Sequence, residues 1–192
     1  IVRRAENGEE IVTLDGITRK LTDDMLVIAD AKRAVALAGI MGGANSEVDE
    51  NTKIILLESA YFNPSSIRRT SKKLGLQSEA SYRFERGADP QVQVKAAERV
   101  CELVSLLSSG IIQKGEIDCK KDFYKPKKVY VRVSRTNKII GSNLKYDEIF
   151  SIFRRLHFEI KEKNDDIIEV IPPSYRVDLD REIDLIEEVA RI

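Results

Sequence analysis

"CKKDFYKPKK", residues 119–128, decides how this chain is divided. The stretch is lysine-rich, carries a proline and has no apolar period, so it has no face to bury as a helix or strand and reads as a linker. We place a first domain over residues 1–118, the linker over 119–127 and a second domain over 128–192. The expected class is α+β: a mixed sheet with packed helices before the linker, and a small winged-helix-like domain after it.

Before the linker, residues 1–60 are short apolar runs punctuated by Asn7-Gly8, Asp15-Gly16 and Gly42-Gly43, the pattern of strands joined by tight turns. Asn63-Pro64 supplies a helix cap followed by proline at the first helical position, and Gly75 supplies the stop, which predicts a basic helix over 64–74. Asp89-Pro90 repeats the device, and the helix it opens places Ala96, Val100, Leu103, Val104 and Leu107 on one face, as for packing across a sheet, before ending at Gly110. "IIQKGEI" then reads as a strand. After the linker come a strand ("VYVRV"), a short helix from Ser134, a helix over 146–156, the strands "FEIKE" and "IIEVIP" flanking the turn Asn164-Asp165-Asp166, and a final helix from about Asp180.

The 192 residues carry 32 basic and 32 acidic side chains, so no global field draws the chain to nucleic acid or to an anionic membrane. Hydrophobic content of 42% suffices for buried cores. No apolar run approaches the roughly 20 residues that span a bilayer, and no signal peptide is evident, which reads as a cytoplasmic protein without a membrane partner. Cys101 and Cys119 have no metal-ligand spacing, and Cys101 is expected as a buried reduced thiol. The chain opens at Ile1 and stops within the helical pattern "LIEEVARI", as a piece of something longer would.

Candidate sites follow from residues that sit badly in a purely structural reading. Glu58 interrupts "IILLESAYF", which otherwise reads as a buried strand; a carboxylate there is paired, faces a cavity, or simply reaches solvent. Gly42-Gly43 is either a plain turn or a place where backbone approaches a ligand closely, without the sequence of a nucleotide loop. "LGLQSEASYRFERGADP", residues 74–90, crowds Glu79, Glu85 and Asp89 with Arg83, Arg86, Ser78 and Ser81 between two helices. We expect the two arginines to pair with Glu79, Glu85 or the helix ends. The basic residues between 120 and 138 are either solvated or touch phosphate. His157 has no second ligand near it and is assigned no role.

"GIMGGANSEV", "LLESAYFNPSSIRRTSKKLGLQSEASYRFERGADP" and "PPSYRVDLDREIDLIEEVARI" closely resemble the bacterial phenylalanyl-tRNA synthetase beta subunit, over essentially the whole chain. The resemblance implies that the first part is the later half of a tRNA-editing domain and that residues 128–192 are the winged-helix-like domain that follows it. It implies an ATP-dependent ligase assembled as alpha-2 beta-2, with phenylalanine tRNA as partner and the aminoacylation site, including ATP, in the alpha subunit. What it implies for this piece is hydrolytic editing of tyrosine mischarged onto phenylalanine tRNA. Glu58 then matches the carboxylate that recognises the tyrosine hydroxyl, Gly42 a wall of the pocket, and Ser78 and Ala80 its floor and rim.

The family's pocket also draws on residues, including a histidine, upstream of the position matched by Ile1, so the piece alone is expected to be inactive. No general base or nucleophile is evident, and hydrolysis by a positioned water fits better than a triad. The alternative, from another functional class, is a non-catalytic tRNA- or protein-interaction module. Asp184, Glu187 and Glu188 share a face of the last helix and Asp178 lies just before it; by residue type alone they complement the helix dipole. The resemblance matches Asp178, Asp184, Glu187 and Glu188 to magnesium ligands shared with the alpha subunit, a chemically reasonable set for a cation that keeps several waters.

Overall fold

The computed structural model describes residues 1–119 and 124–192, so part of the expected linker lies outside the described residues. The chain separates into two compact units, the first comprising residues 1–88 and 92–113, the second 89–91 and 114–192. It is an α+β protein, and every strand pairing among the described residues is antiparallel.

In the first unit, β1 (Val2–Arg4), β4 (Leu26–Ala29), β5 (Ala34–Leu37) and β6 (Met41–Gly42) form one sheet in that order, while β2 (Glu10–Val12) and β3 (Thr18–Lys20) form a separate hairpin. Side chains alternate across a strand, so β4 buries Val27 and Ala29, and Val27 joins Leu21, Met25, Leu37 and Ile67 in the core. The hairpin is tied to the sheet by a bridge between Thr13 and Gly43 and by the Leu14 amide donating to the Gly42 carbonyl at 3.0 Å.

Three helices follow. In α1 (Pro64–Leu74) the Asn63 side chain accepts from the Ser66 amide at 3.1 Å, and Gly75 closes the helix at φ 59°. The cap, the proline and the stop act where the sequence places them. α2 (Glu79–Phe84) forms inside the stretch that reads as a crowded loop. It is nucleated by a reciprocal cap: Ser78 Oγ accepts from the Ser81 amide at 3.1 Å, and Ser81 Oγ accepts from the Ser78 amide at 2.9 Å. A serine does here what glutamate does in the usual capping box, and the sequence reading missed it for that reason.

α3 (Gln93–Ser108) starts three residues after Pro90, because the Asp89 carboxylate instead accepts from the Gln91 amide at 2.9 Å and makes a turn. The expectation that α3 packs across a sheet is not met: none of its residues is fully buried, Leu107 is exposed and Cys101 is half-buried. "IIQKGEI" is not a strand, and Ile111 and Ile117 face solvent. "IILLESAYF" likewise carries no strand, with Ile54 89% and Leu56 93% exposed. In each case β propensity lacks a neighbour: a strand needs a hydrogen-bonded partner, and no described strand pairs with either segment.

The second unit follows its expected order closely. β7 (Val129–Arg132), α4 (Val133–Ile140), α5 (Tyr146–Arg155), β8 (Glu159–Glu162), β9 (Ile167–Ile171) and α6 (Glu182–Arg191) build a three-stranded sheet, order β7-β9-β8, with α4 and α6 against β7 and α5 against β8. Phe153, Ile149, Val131, Ile168 and Leu185 fill the core between them. His157 acquires a role: at φ 60° it ends α5, and the next residue, Phe158, donates its amide back to the Phe153 carbonyl at 3.1 Å.

Candidate functional site

The site residues of the first unit stand on three segments. Gly42 ends β6, in half-buried surroundings. Gly42-Gly43 is not the turn that the sequence allows; the turn is made by Ala38-Gly39-Ile40, and Gly43 is required because a methyl group on it would meet the Val35 carbonyl oxygen at 2.8 Å. The close backbone approach is thus to the protein's own strand β5. Leu14 of the β2–β3 hairpin lies over Gly42, 3.2 Å from where a Cβ would stand.

Ser78 is the N-cap of α2, and its hydroxyl donates to the Ile40 carbonyl at 2.5 Å. This bond brings the start of α2, with Ala80 exposed on its first turn, against the hairpin that ends in Gly42. The single hydroxyl proton of Ser78 is spent on Ile40, which leaves none for transfer to a base and makes a nucleophilic role a poor fit. Glu58 stands apart, on the irregular exposed stretch before α1; protein around its carboxyl raises its pKa above the ordinary value by desolvation.

A cavity of about 350 Å³ opens beside α2, lined by Gln77, Ser78, Glu79, Ser81, Tyr82 and Glu85. Of the four residues expected in a pocket, Ser78 alone borders it. Arg83 pairs with Glu79 at 3.2 Å and Arg86 with Glu85 at 2.9 Å, the structural use expected of both. Arg86 also lies 3.5 Å over the Tyr82 ring, a cation–π contact that sequence spacing alone did not single out.

In the second unit the acidic residues around α6 are held by arginines. Arg176 grips Asp178 at 2.7 Å and Glu188 at 2.9 Å, Arg191 reaches Glu188 at 2.6 Å, and Arg181 takes Asp184 at 2.8 Å. Asp178 and Glu188 are held below the usual carboxylate range by Arg176, and Asp184 is lowered to about 2 by Arg181. Glu187 points to solvent. Among the described residues no three acids, histidines or cysteines are grouped as a cation would require. In this arrangement guanidinium groups bond Asp178, Asp184 and Glu188, three of the four acids that the resemblance matches to magnesium ligands, while Glu187 is left to solvent.

The basic residues at the end of the linker and just after it are partly neutralised: Lys127 pairs with Asp180, Lys128 with the buried Glu169, and Arg132 with Glu182. A second cleft, of about 560 Å³, is lined by Arg132, Ser134, Arg135, Lys138 and Ile139. Among the described residues no helix is long and apolar enough to cross a membrane.

Residues 1–109 match the B3/4 domain family, and residues 129–192 match the tRNA synthetase B5 domain. The phenylalanine–tRNA ligase beta subunit of Geobacter metallireducens is 50% identical over the whole of this chain. The chain belongs to the phenylalanine–tRNA ligase beta-subunit family. Beta subunits of Protochlamydia amoebophila and Bacillus subtilis are 46% and 44% identical, again over the full chain. The chain spans about a quarter of the length of these relatives, 24% of each. Within this beta-subunit segment, Gly42, Ser78 and Ala80 lie in the B3/4 match, as does Glu58, and the arginine-held acids lie in the B5 match.

Proposed function

We propose that this segment serves the editing function of a phenylalanine–tRNA ligase, removing tyrosine mischarged onto phenylalanine tRNA. The observation that carries the reading is the Ser78 hydroxyl bonded to the Ile40 carbonyl, which seats α2 beside Gly42 within a B3/4 domain. Gly42 is the wall of the pocket, Ser78 its floor and Ala80 its rim, all small enough to admit an aromatic ring. Glu58 is the selecting carboxylate. As a carboxylate it accepts a hydrogen bond, and the phenolic hydroxyl of tyrosine is the donor that phenylalanine lacks. A charge-assisted bond of about 1.5–3 kcal/mol gives roughly ten- to a hundredfold preference over phenylalanine, which would leave the carboxylate unpaired. Water then adds across the ester, releasing tyrosine and the free tRNA end.

The segment does this as part of an assembled cytoplasmic ligase with an alpha-subunit partner, and alone it is inactive. The test is deacylation of tyrosyl- and phenylalanyl-tRNA by the assembled ligase carrying this sequence. Glu58→Ala lowers the ratio of the two rates about tenfold or more; an unchanged ratio removes Glu58 from the pocket.

For the second unit, a non-catalytic contact with tRNA is favoured by the cleft at Arg132, Arg135 and Lys138, where three cations share the one carboxylate of Glu182, which pairs with Arg132 and Arg135. Neutralising Arg135 and Lys138 should weaken tRNA binding and reduce its salt dependence by about one to two phosphate contacts. An unchanged salt slope argues for a purely structural unit.

A further inference from the structure

Gly39 makes the turn between β5 and β6 at φ 68°, a left-handed conformation that side chains disfavour. A methyl group on it would meet Phe62 Cδ2 at 2.7 Å, Ile67 Cδ1 at 3.0 Å and Phe84 Cδ2 at 3.2 Å. These three contacts come from three different places: the end of the stretch that carries Glu58, helix α1, and the last residue of α2. The Phe62 and Phe84 rings meet edge to face, 5.2 Å between centroids at 67°, directly over the turn. Phe62 is 6% exposed and is the one fully buried side chain between residues 44 and 65. It is therefore the main apolar anchor of the segment on which Glu58 stands, four residues before it.

We propose that Gly39, with Phe62 and Phe84 closed upon it, is the positioning residue that sets how far the Glu58 segment stands from Gly42 and from the Ser78–Ala80 end of α2. The inference rests on the editing reading above and adds to it the determinant of the pocket's span. Gly39 lies three residues before Gly42, and Phe84 six after Ser78, so any outward push on Phe62 changes the spacing between carboxylate and wall. A side chain at 39 has no space to occupy without that push. The loss falls on tyrosine, because only the tyrosine hydroxyl uses the carboxylate, and misplacement by about an ångström weakens such an interaction severely.

The experiment compares wild-type, Gly39→Ala, Phe84→Leu and Gly39→Ala/Phe62→Leu forms of the assembled ligase in deacylation of tyrosyl- and phenylalanyl-tRNA, with aminoacylation and thermal unfolding measured alongside. Gly39→Ala should lower kcat/KM for tyrosyl-tRNA about tenfold while phenylalanyl-tRNA hydrolysis and aminoacylation hold. Phe62→Leu in the same chain relieves the closest contact of the methyl group and should recover part of the loss, the left-handed φ at residue 39 being unchanged. A folded Gly39→Ala with an unchanged ratio overturns the proposal, as does equal loss on both substrates or absence of rescue. Should Gly39→Ala not fold, Phe84→Leu decides by the same ratio, since it opens the clamp without altering the turn. A wild-type enzyme that does not prefer tyrosyl-tRNA sinks the editing reading itself, whereas a selective wild type with indifferent variants sinks only the role of Gly39.

Discussion

The Arg176 guanidinium holds the buried Glu188 carboxylate through two bonds, Nη2 to Oε1 at 2.9 Å and Nη1 to Oε2 at 3.1 Å, across twelve residues of sequence. The same guanidinium donates to both oxygens of Asp178, at 2.9 and 2.7 Å. A loop and a helix are thereby pinned together by one side chain. With Arg191 on its other side, Glu188 has its oxygens satisfied although only 2% of the residue is exposed.

Arg176→Ala should destabilise the second unit by about 2–3 kcal/mol, since it leaves Glu188 buried with one partner instead of two. Replacing both members, Arg176→Met with Glu188→Leu, should recover at least half of that loss, because the desolvation cost disappears along with the pair. Urea unfolding of the three proteins measures both effects. A double variant no better than the single one would mean that the pair does more than satisfy itself.

Magnesium should leave the chain unmoved. With Asp178, Asp184 and Glu188 each bonded to arginine, a hydrated divalent ion would have to displace guanidinium groups before it could bind. Thermal unfolding at about 10 mM magnesium, against sodium chloride of equal ionic strength, should agree to within about 1 °C. A rise of several degrees would show that the acids rearrange around the metal.

Acid should loosen the first unit through Glu9. Arg3 donates to both of its oxygens and holds its pKa at about 2, below the ordinary 4.5. A depressed carboxylate binds its proton less readily when folded, so its contribution is full above pH 4.5 and is lost as the pH falls toward 2. Allowing for the solvent around Arg3, the amount is on the order of 2 kcal/mol. Glu9→Gln should be less stable near neutrality and should flatten the acid limb of the stability curve, as read by denaturant unfolding at each pH.

The N-cap of α1 offers a local check. Asn63→Ala removes the side-chain acceptor for the Ser66 amide and should cost about 1 kcal/mol, whereas Asn63→Asp keeps the acceptor and should cost little. Equal losses would mean that Asn63 matters through packing and not through its cap.

Much of the fold was legible because the signals are local. Asn63-Pro64 and Gly75 bound α1 on their own, and the second unit's strands and helices carry alternation or helical period together with their own partners within about sixty residues. α2 escaped because its cap uses Ser81 where glutamate is usual, and α3 began late because Asp89 spent its carboxylate on a turn. The family was legible in long motifs, and the relatives bear it out.

The site divides along the same line. Residue type and order by themselves determined that small residues stand at 42, 78 and 80, that a carboxylate interrupts an apolar run at 58, and that acids gather around the last helix. Whether such residues meet depends on contacts between segments far apart in the chain, which no local period encodes. Tertiary structure alone decided that Ser78 spends its proton on Ile40, that Gly39 admits Phe62 and Phe84, and that "IILLESAYF" finds no strand to pair with among the described residues. It also decided that Arg176, Arg181 and Arg191 reach the acids first. A carboxylate's spacing on a helix fixes its direction, but its partner is whichever cation the fold brings within about 3 Å.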